Sequence, residues 1–406
     1  MPIPSTHLNP ISFMGIASLM RKVAGGMDLL QAINLTAYDP DDANMLMGMA
    51  VFFLVTGNKA MADELQLKAL QRQQIYCLSA GRTPEALRLL VIMRPGDMTD
   101  NTPVDFLVES LDVVLMTLYI AIHLPLPPSL PEHDVLFIAI AQSDQNQPLL
   151  QQIQIHLHHA PSPTLNFPER IDRLSRQDVS AVLSDIPELQ VPRTLRCTRL
   201  ALQRVCLGID SITSLLPDGD FPVIVRPLQS QGGTGLARIA DTDALHAYLE
   251  RMAENAFYLS RFVDYRSGDG FYRKYRIAFV EGVAYACHLA IADHWMVHYK
   301  TSGMADDLAK RQEEAHFLQH FDDEFGQRHA RALRLIATRL GMDYLVMDCA
   351  EAIDGSLLFF EADNVGFVHA SDDAVLFAYK QAPMAKVFMA FDAMLHNARR
   401  SGVQQR

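Results

Sequence analysis

Apolar and polar positions change their rhythm twice along this chain. Up to about residue 110 the spacing is helical and rich in methionine, and residues 39–42, with Pro40 inside, form a helix start. From residue 133 the pattern becomes that of an α/β unit. Val135 to Ala141 is an unbroken apolar run of strand length, the mark of a strand buried on both faces. A helix over 148–158, a short strand ending at Asn166 and an exit at Pro192 follow. The run 113–124 reads as a buried strand or helix that stops at Pro125. From Phe221 onward strands and turns dominate, with helices over 242–255, 305–317, 323–340 and 379–399. Arg399, Arg400 and Gly402 stop the last of these. The pattern divides the chain into a helical region, 1–110, a small α/β region, 111–195, and a larger α/β region, 196–406.

Composition narrows the class. The 406 residues are 49% hydrophobic and 20% charged, enough apolar surface for more than one core, which excludes disordered and disulfide-stapled classes. A net charge of -12 argues against a general nucleic-acid binder, which needs clustered Lys and Arg. The five cysteines form no CxxC pair, so a reducing cytoplasm is the expected location. No stretch resembles a signal peptide or reaches the ~20 apolar residues that span a bilayer, so no membrane partner is expected. His156, His158 and His159 lack an accompanying carboxylate or cysteine and read as solvated histidines.

The candidate chemistry sits near the C-terminus. Two strand-like runs flank Asp354-Gly355, a type I′ turn signal. With those two residues as the loop, Asp348 falls opposite Glu361, their Cβ atoms about 5 Å apart on one face. Asp363 shares that face two residues on. Facing like charges repel, and a hard cation such as Mg²⁺ resolves the repulsion with oxygen ligands. The competing reading is a wetted acidic edge.

Upstream, a buried strand carries Arg226 into a polar loop with Gly232, Gly233 and Gly235, whose backbone N–H groups are free to turn toward an anion. Neither a Walker ending nor a dinucleotide fingerprint is present. A second hairpin turns at Glu281-Gly282 and places Lys274 and Arg276 on one face, suited to phosphate or carboxylate. Residues 221–300 hold 9 Lys+Arg and 8 Asp+Glu, a local +1 within a chain of -12. Alternation over 293–300 puts His294, Met296, His298 and Lys300 on one strand face, with His298 or Lys300 toward substrate.

In this order the three features resemble the ATP-grasp superfamily, over roughly residues 131–369. The resemblance implies an α+β ATP-grasp fold and an ATP- and Mg²⁺-dependent ligase that joins a carboxylate to an amine through an acylphosphate. It implies that Arg226, Gln231, Gly232, Gly233, Thr234 and Lys274 hold phosphates, with Arg226 where the family usually has Lys. It assigns the adenine contact to residues 258–263, among them Arg261, Phe262 and Val263. Asp348, Glu361 and Asp363 match the metal ligands, with Asn364 the neighbour if the register slips by one. Arg276 would neutralise the acylphosphate beside His298 and Lys300. Ala50, Phe53, Gly57, Ala62 and Ala69 resemble one tetratricopeptide repeat, with a degenerate partner over 16–32. That region serves as an appendage packed on the rest or on another subunit, or as a partner-binding groove. The substrates expected are small-molecule or peptide carboxylates and amines. Two other classes stay open, a nucleotide-binding interaction module without turnover and a kinase that stops at phosphorylation.

Overall fold

The computed structural model describes residues 15–28, 31, 42–157, 162–230 and 232–404. Its helical start comprises Ile16–Ala24, Ala43–Val55 and Lys59–Leu70. Asp42 caps the second helix, its carboxylate accepting from the N–H groups of Asn44 and Met45, both at 3.2 Å. Asn58 caps the third by accepting from the Met61 N–H at 3.3 Å. The apolar side of this hairpin, with Leu46, Met47 and Phe52, packs against Tyr76 and Tyr119 of the sheet that follows. Ala50, Ala62 and Ala69 are buried as a close helix pair requires. The expected partner over 16–32 and the start over 39–42 lie partly outside the described residues.

The helical start ends at Leu70, and between there and residue 110 the one described helix is the short Val104–Val108. Strands β1 (Ile75–Ala80) and β2 (Leu87–Met93) occupy the stretch expected to be helical. β2 is buried at five of its seven positions, so it lacks the alternation that would declare a strand, and Pro95-Gly96 just after it is a local mark of its short length. With β3 (Val113–Tyr119), β4 (Val135–Ile138) and β5 (Thr164–Leu165) it forms a five-stranded sheet in the order β1-β3-β2-β4-β5. β2 and β4 are parallel centre strands, and all four residues of β4 are buried.

Two further sheets follow. β6 is Leu189–Gln190, β7 Thr194–Thr198, β8 Val223–Pro227, β9 Ala237–Ile239 and β10 Ala256–Arg261. β7, β10, β8 and β9 make a four-stranded antiparallel sheet in that order. β11 (Tyr272–Val280), β12 (Val283–Ala292), β13 (Tyr344–Glu351) and β14 (Leu357–Asp363) join β6 in the order β12-β11-β13-β14-β6. The β11–β12 hairpin turns at Glu281-Gly282 as expected, with φ of 47° and 81° and Val280 opposite Val283.

The β13–β14 turn differs from the expectation. The Ala352 N–H donates to the Ser356 carbonyl at 2.9 Å, so residues 353–355 are the loop rather than 354–355. A bulge at Phe360 then absorbs the extra residue, and Asp348 still faces Glu361. Residues 293–300 are not a strand either. They bend and enter a 3-10 turn, Tyr299–Thr301. The expected helix over 323–340 is two, Phe325–Arg328 and Ala330–Leu340, and the last helix, Gln381–Gln404, runs past its expected stop.

That last helix seals the first sheet to the third. Phe391 packs 5.8 Å from the Phe137 ring and 5.4 Å from the Tyr344 ring. Buried polar groups stitch the same seam. Asn166 accepts from the Tyr344 N–H and donates to its carbonyl, both at 2.9 Å. Asn364, fully buried, donates to the Ile140 carbonyl at 2.9 Å. Among the described residues no helix is long and apolar enough to cross a membrane. Cys197, Cys206, Cys287 and Cys349 are free thiols.

A buried ionic knot holds the segment after β12. Glu314, 0% exposed, lies 3.3 Å from the Lys380 ammonium. It also accepts from the hydroxyls of Tyr379 at 2.6 Å and Tyr299 at 3.1 Å, and from the Leu289 N–H at 3.2 Å. Lys380 also pairs with Asp372 at 2.8 Å, so Glu314→Ala leaves the lysine one partner and strips the acceptor from two tyrosine hydroxyls and a backbone N–H. Unfolding in urea should register a loss of about 3 kcal/mol. Glu314→Gln, which keeps an acceptor oxygen, should lose less.

Candidate active site

Four strands bring one charged row together. Through the pairings of β12 with β11, β11 with β13 and β13 with β14, His288 faces Arg276, Arg276 faces Asp348, and Asp348 faces Glu361. Asp348 is 3% exposed and accepts three charge-assisted bonds, from Lys274 Nζ at 3.0 Å and from Arg276 Nε at 2.7 Å and Nη2 at 2.9 Å. Arg276 turns its remaining nitrogen to the Phe367 carbonyl at 3.1 Å. Burial raises the pKa of Asp348, but the charges of Arg276 and Lys274 outweigh it and hold the carboxyl far below its ordinary range.

Glu361 has a different pair of bases. Arg176, at the start of the helix Arg176–Leu183, forms an ion pair with it, and Arg226 Nη1 lies 3.6 Å away. Burial pushes the Glu361 pKa up, and the Arg176 charge more than offsets this, so it stays below its usual value. Arg226 also clamps the loop that follows its own strand, donating from Nη2 to the Ser230 carbonyl at 2.6 Å and from Nε to the Ser230 hydroxyl at 3.2 Å. Burial and the neighbouring Arg176 guanidinium push its pKa down to about 10. The turn beyond is left-handed at Gly232, Gly233 and Gly235, with φ of 58°, 82° and 69°, a backbone that glycine alone adopts without strain. Thr234 sits within it, while Gln231 lies outside the described residues.

The expected metal set needs correction. Mg²⁺ takes carboxylate oxygens that are free to face it. Both Asp348 oxygens are engaged by Lys274 and Arg276, and Glu361 is held between two arginines. Among the described residues, no group of three or more His, Cys, Asp or Glu side chains is placed to hold a metal ion. Asn364 points into the seam with the first sheet, away from the carboxylates. As built, Asp348, Glu361, Asp363 and Asn364 do not fit a divalent cation: bases hold both Asp348 oxygens and Oε2 of Glu361, and Asn364 faces away. Asp363 is the loosest of them. It accepts from the Val365 N–H at 3.0 Å, and burial followed by the Glu361 charge raises its pKa to about 6.

The remaining candidates fall into two groups. Arg261, Phe262 and Val263 form the crossing from the second sheet to the third. There the Phe262 N–H donates to the Pro222 carbonyl at 3.1 Å, and Arg238 stacks 4.6 Å over the Phe262 ring. Trp295 meets Phe262 edge-on at 5.8 Å, so this crossing packs against the bend after β12. His298 and Lys300 sit at the 3-10 turn rather than on one strand face. Burial, Lys274 and Lys300 lower the His298 pKa, which keeps it neutral at pH 7.

The sequence reading missed two residues. Arg176 comes from a helix of the small α/β region, and nothing in RQDVSAVL signals a distant carboxylate. His288 enters the row through a bulge at Cys287, which shifts the β11–β12 pairing by one. Its Nδ1 is buried without a hydrogen-bond partner, and its ring lies 4.7 Å from Tyr299. Burial and Arg276 lower its pKa well below the usual histidine range.

Two outcomes follow from the carboxylates. Because its pKa is raised in the folded chain, Asp363 opposes folding once pH exceeds about 6 and does not below the unfolded value of 3.8. Asp363→Asn should therefore raise the melting temperature at pH 8, by an amount that shrinks to nothing as pH falls from 6 to 4. Millimolar MgCl₂ added to the ligand-free chain should leave its melting temperature unchanged at constant ionic strength.

No protein-family model matches the chain, and no curated protein matches it. Solved structures do. The chain aligns with the D-alanine-D-alanine ligase from Coxiella burnetii at a TM-score of 0.50 and 10% identity, covering 79% of this chain and 96% of that one. It aligns with D-alanyl-alanine synthetase A from Vibrio cholerae O1 biovar eltor at a TM-score of 0.50 and 10% identity, covering 78% and 99%. At that identity the likeness is one of fold: the chain folds as these ligases do.

Proposed function

We propose that the protein is an ATP-dependent ligase that joins a carboxylate to an amine through an acylphosphate. One observation carries the reading. Four bases, Arg176, Arg226, Lys274 and Arg276, gather on two carboxylates beside a glycine turn, in a chain folded like the D-alanine ligases. Transfer of a phosphoryl group needs positioning and stabilisation of charge on its oxygens, and buried, preorganised cations supply both. In this reading Arg226, Lys274 and the turn around Gly233 and Thr234 bind the phosphates. Arg261, Phe262 and Val263 line the base end of the nucleotide.

The transferred phosphoryl leaves ADP and forms a carboxyl–phosphate bond. The amine then attacks the acyl carbon, the carbon–nitrogen bond forms and phosphate departs. Arg276 neutralises the acylphosphate and the oxyanion of that second step. His298, neutral at pH 7, accepts the amine proton, and the exposed Lys300 meets an anionic part of a substrate. The free thiols support a reducing, cytoplasmic setting.

A second reading, a nucleotide-binding module without turnover, is favoured by the engagement of both Asp348 oxygens and of Glu361 Oε2 by bases. Thermal unfolding and phosphate release separate the two. ATP at about 100 times its Kd should stabilise the chain by about 2.7 kcal/mol, and Arg226→Ala should remove the shift. Phosphate release in a panel of paired carboxylates and amines, lowered about 10²–10³-fold by Arg276→Ala, supports the ligase. A shift without release for any pair supports the module.

A further inference from the structure

We propose that this site captures the polyphosphate end of its nucleotide on side-chain cations alone, before any divalent ion, with Arg176 as a direct phosphate ligand. The proposal rests on the nucleotide reading above and adds to it a residue and an order of binding.

The charged row is short of negative charge. Asp348 is shared by Lys274 and Arg276, and Glu361 by Arg176 and Arg226, so each carboxylate serves two cations. Buried ion pairs hold only when charge is matched, and two cations on one acid leave a deficit in a region of low dielectric. Asp363 does not make it up: counting it still leaves four cations against three carboxylates. The crowding is visible at Arg226, which is 8% exposed and shares one oxygen of Glu361 with Arg176. Two guanidiniums around one carboxylate oxygen form a socket for an anion larger than a carboxylate. Their planar forks suit phosphate oxygens.

The position of Arg176 strengthens the case. The other three bases come from β8 and β11, strands of the two C-terminal sheets. Arg176 arrives from the small α/β region, at the start of the helix Arg176–Leu183. A base that served only to neutralise Glu361 would duplicate Arg226, which already stands 3.6 Å away. A metal-first order is disfavoured by the same contacts, because Lys274 and Arg276 hold both oxygens of Asp348 and two guanidiniums stand on Oε2 of Glu361.

Titration calorimetry with ATP and with inorganic tripolyphosphate, each in excess EDTA and each with MgCl₂, tests the proposal. Both should bind in EDTA, with affinities that weaken as KCl rises from about 50 to 200 mM. Arg176→Ala should weaken both in EDTA by about tenfold or more, and Arg176→Lys by less. Glu361→Gln frees two guanidiniums and should tighten tripolyphosphate several-fold, the opposite of what loss of a required metal ligand does. Arg204→Ala, on an exposed pair with Asp210, should change nothing. Binding of ATP only with MgCl₂, or weaker tripolyphosphate binding in Glu361→Gln, overturns the proposal and leaves the nucleotide reading standing. Unchanged affinity in a folded Arg176→Ala chain removes Arg176 from the site. No binding of either probe under any condition overturns the nucleotide reading itself.

Discussion

A single carboxylate, Asp348, sets the terms for the rest of this structure. Buried in the middle of a five-stranded sheet, it is tolerable only because Lys274 and Arg276 on the neighbouring strand reach both its oxygens. That requirement fixes the register of β11 against β13. Through the third nitrogen of Arg276 it also reaches the Phe367 carbonyl and shapes the loop beyond β14. Glu361 and its arginines continue the pattern outward. The charged row forms one electrostatic unit, and the glycine turn is anchored to its edge through Arg226 and Ser230.

Much of this was legible because hairpins obey strict geometry. Glu281-Gly282 behaved as a two-residue turn, and the facing of Asp348 and Glu361 survived. It survived through compensation, however. The real loop is one residue longer, and the bulge at Phe360 restores the pairing. Bulges leave no periodic mark, which is also why His288 rather than Cys287 stands beside Arg276. Arg176 was invisible for another reason. It joins the site across more than 180 positions of chain, and local spacing carries no trace of such a contact. The strand β2 was hidden by its own burial, since an apolar stretch without alternation fits helix and strand alike. Asn364 was misplaced by one residue's worth of direction: Asp363 faces the row, and its successor faces the opposite way.

Around the row lie His288, His298 and His369, and all three are held below the usual histidine range, first by burial and then by surrounding Lys and Arg. His369 accepts the Ser371 N–H on Nδ1 at 3.2 Å, so its other nitrogen carries the proton. Neutral imidazoles beside fixed cations give a cleft that accepts and donates hydrogen bonds without adding charge. Such surroundings suit a reaction in which negative charge arrives with one partner and a proton leaves with the other.

The seam between the first and third sheets has a consequence for anyone who would dissect the molecule. Asn364 directly follows the last carboxylate of the row, and its amide is bound to the backbone of the N-terminal sheet. Phe391 and its neighbours fill the same joint from the C-terminal helix. A fragment beginning after residue 195 would bare that helix's apolar side and unhook the end of β14. The half that carries the charged row is therefore no portable module, and its fold belongs to the whole chain.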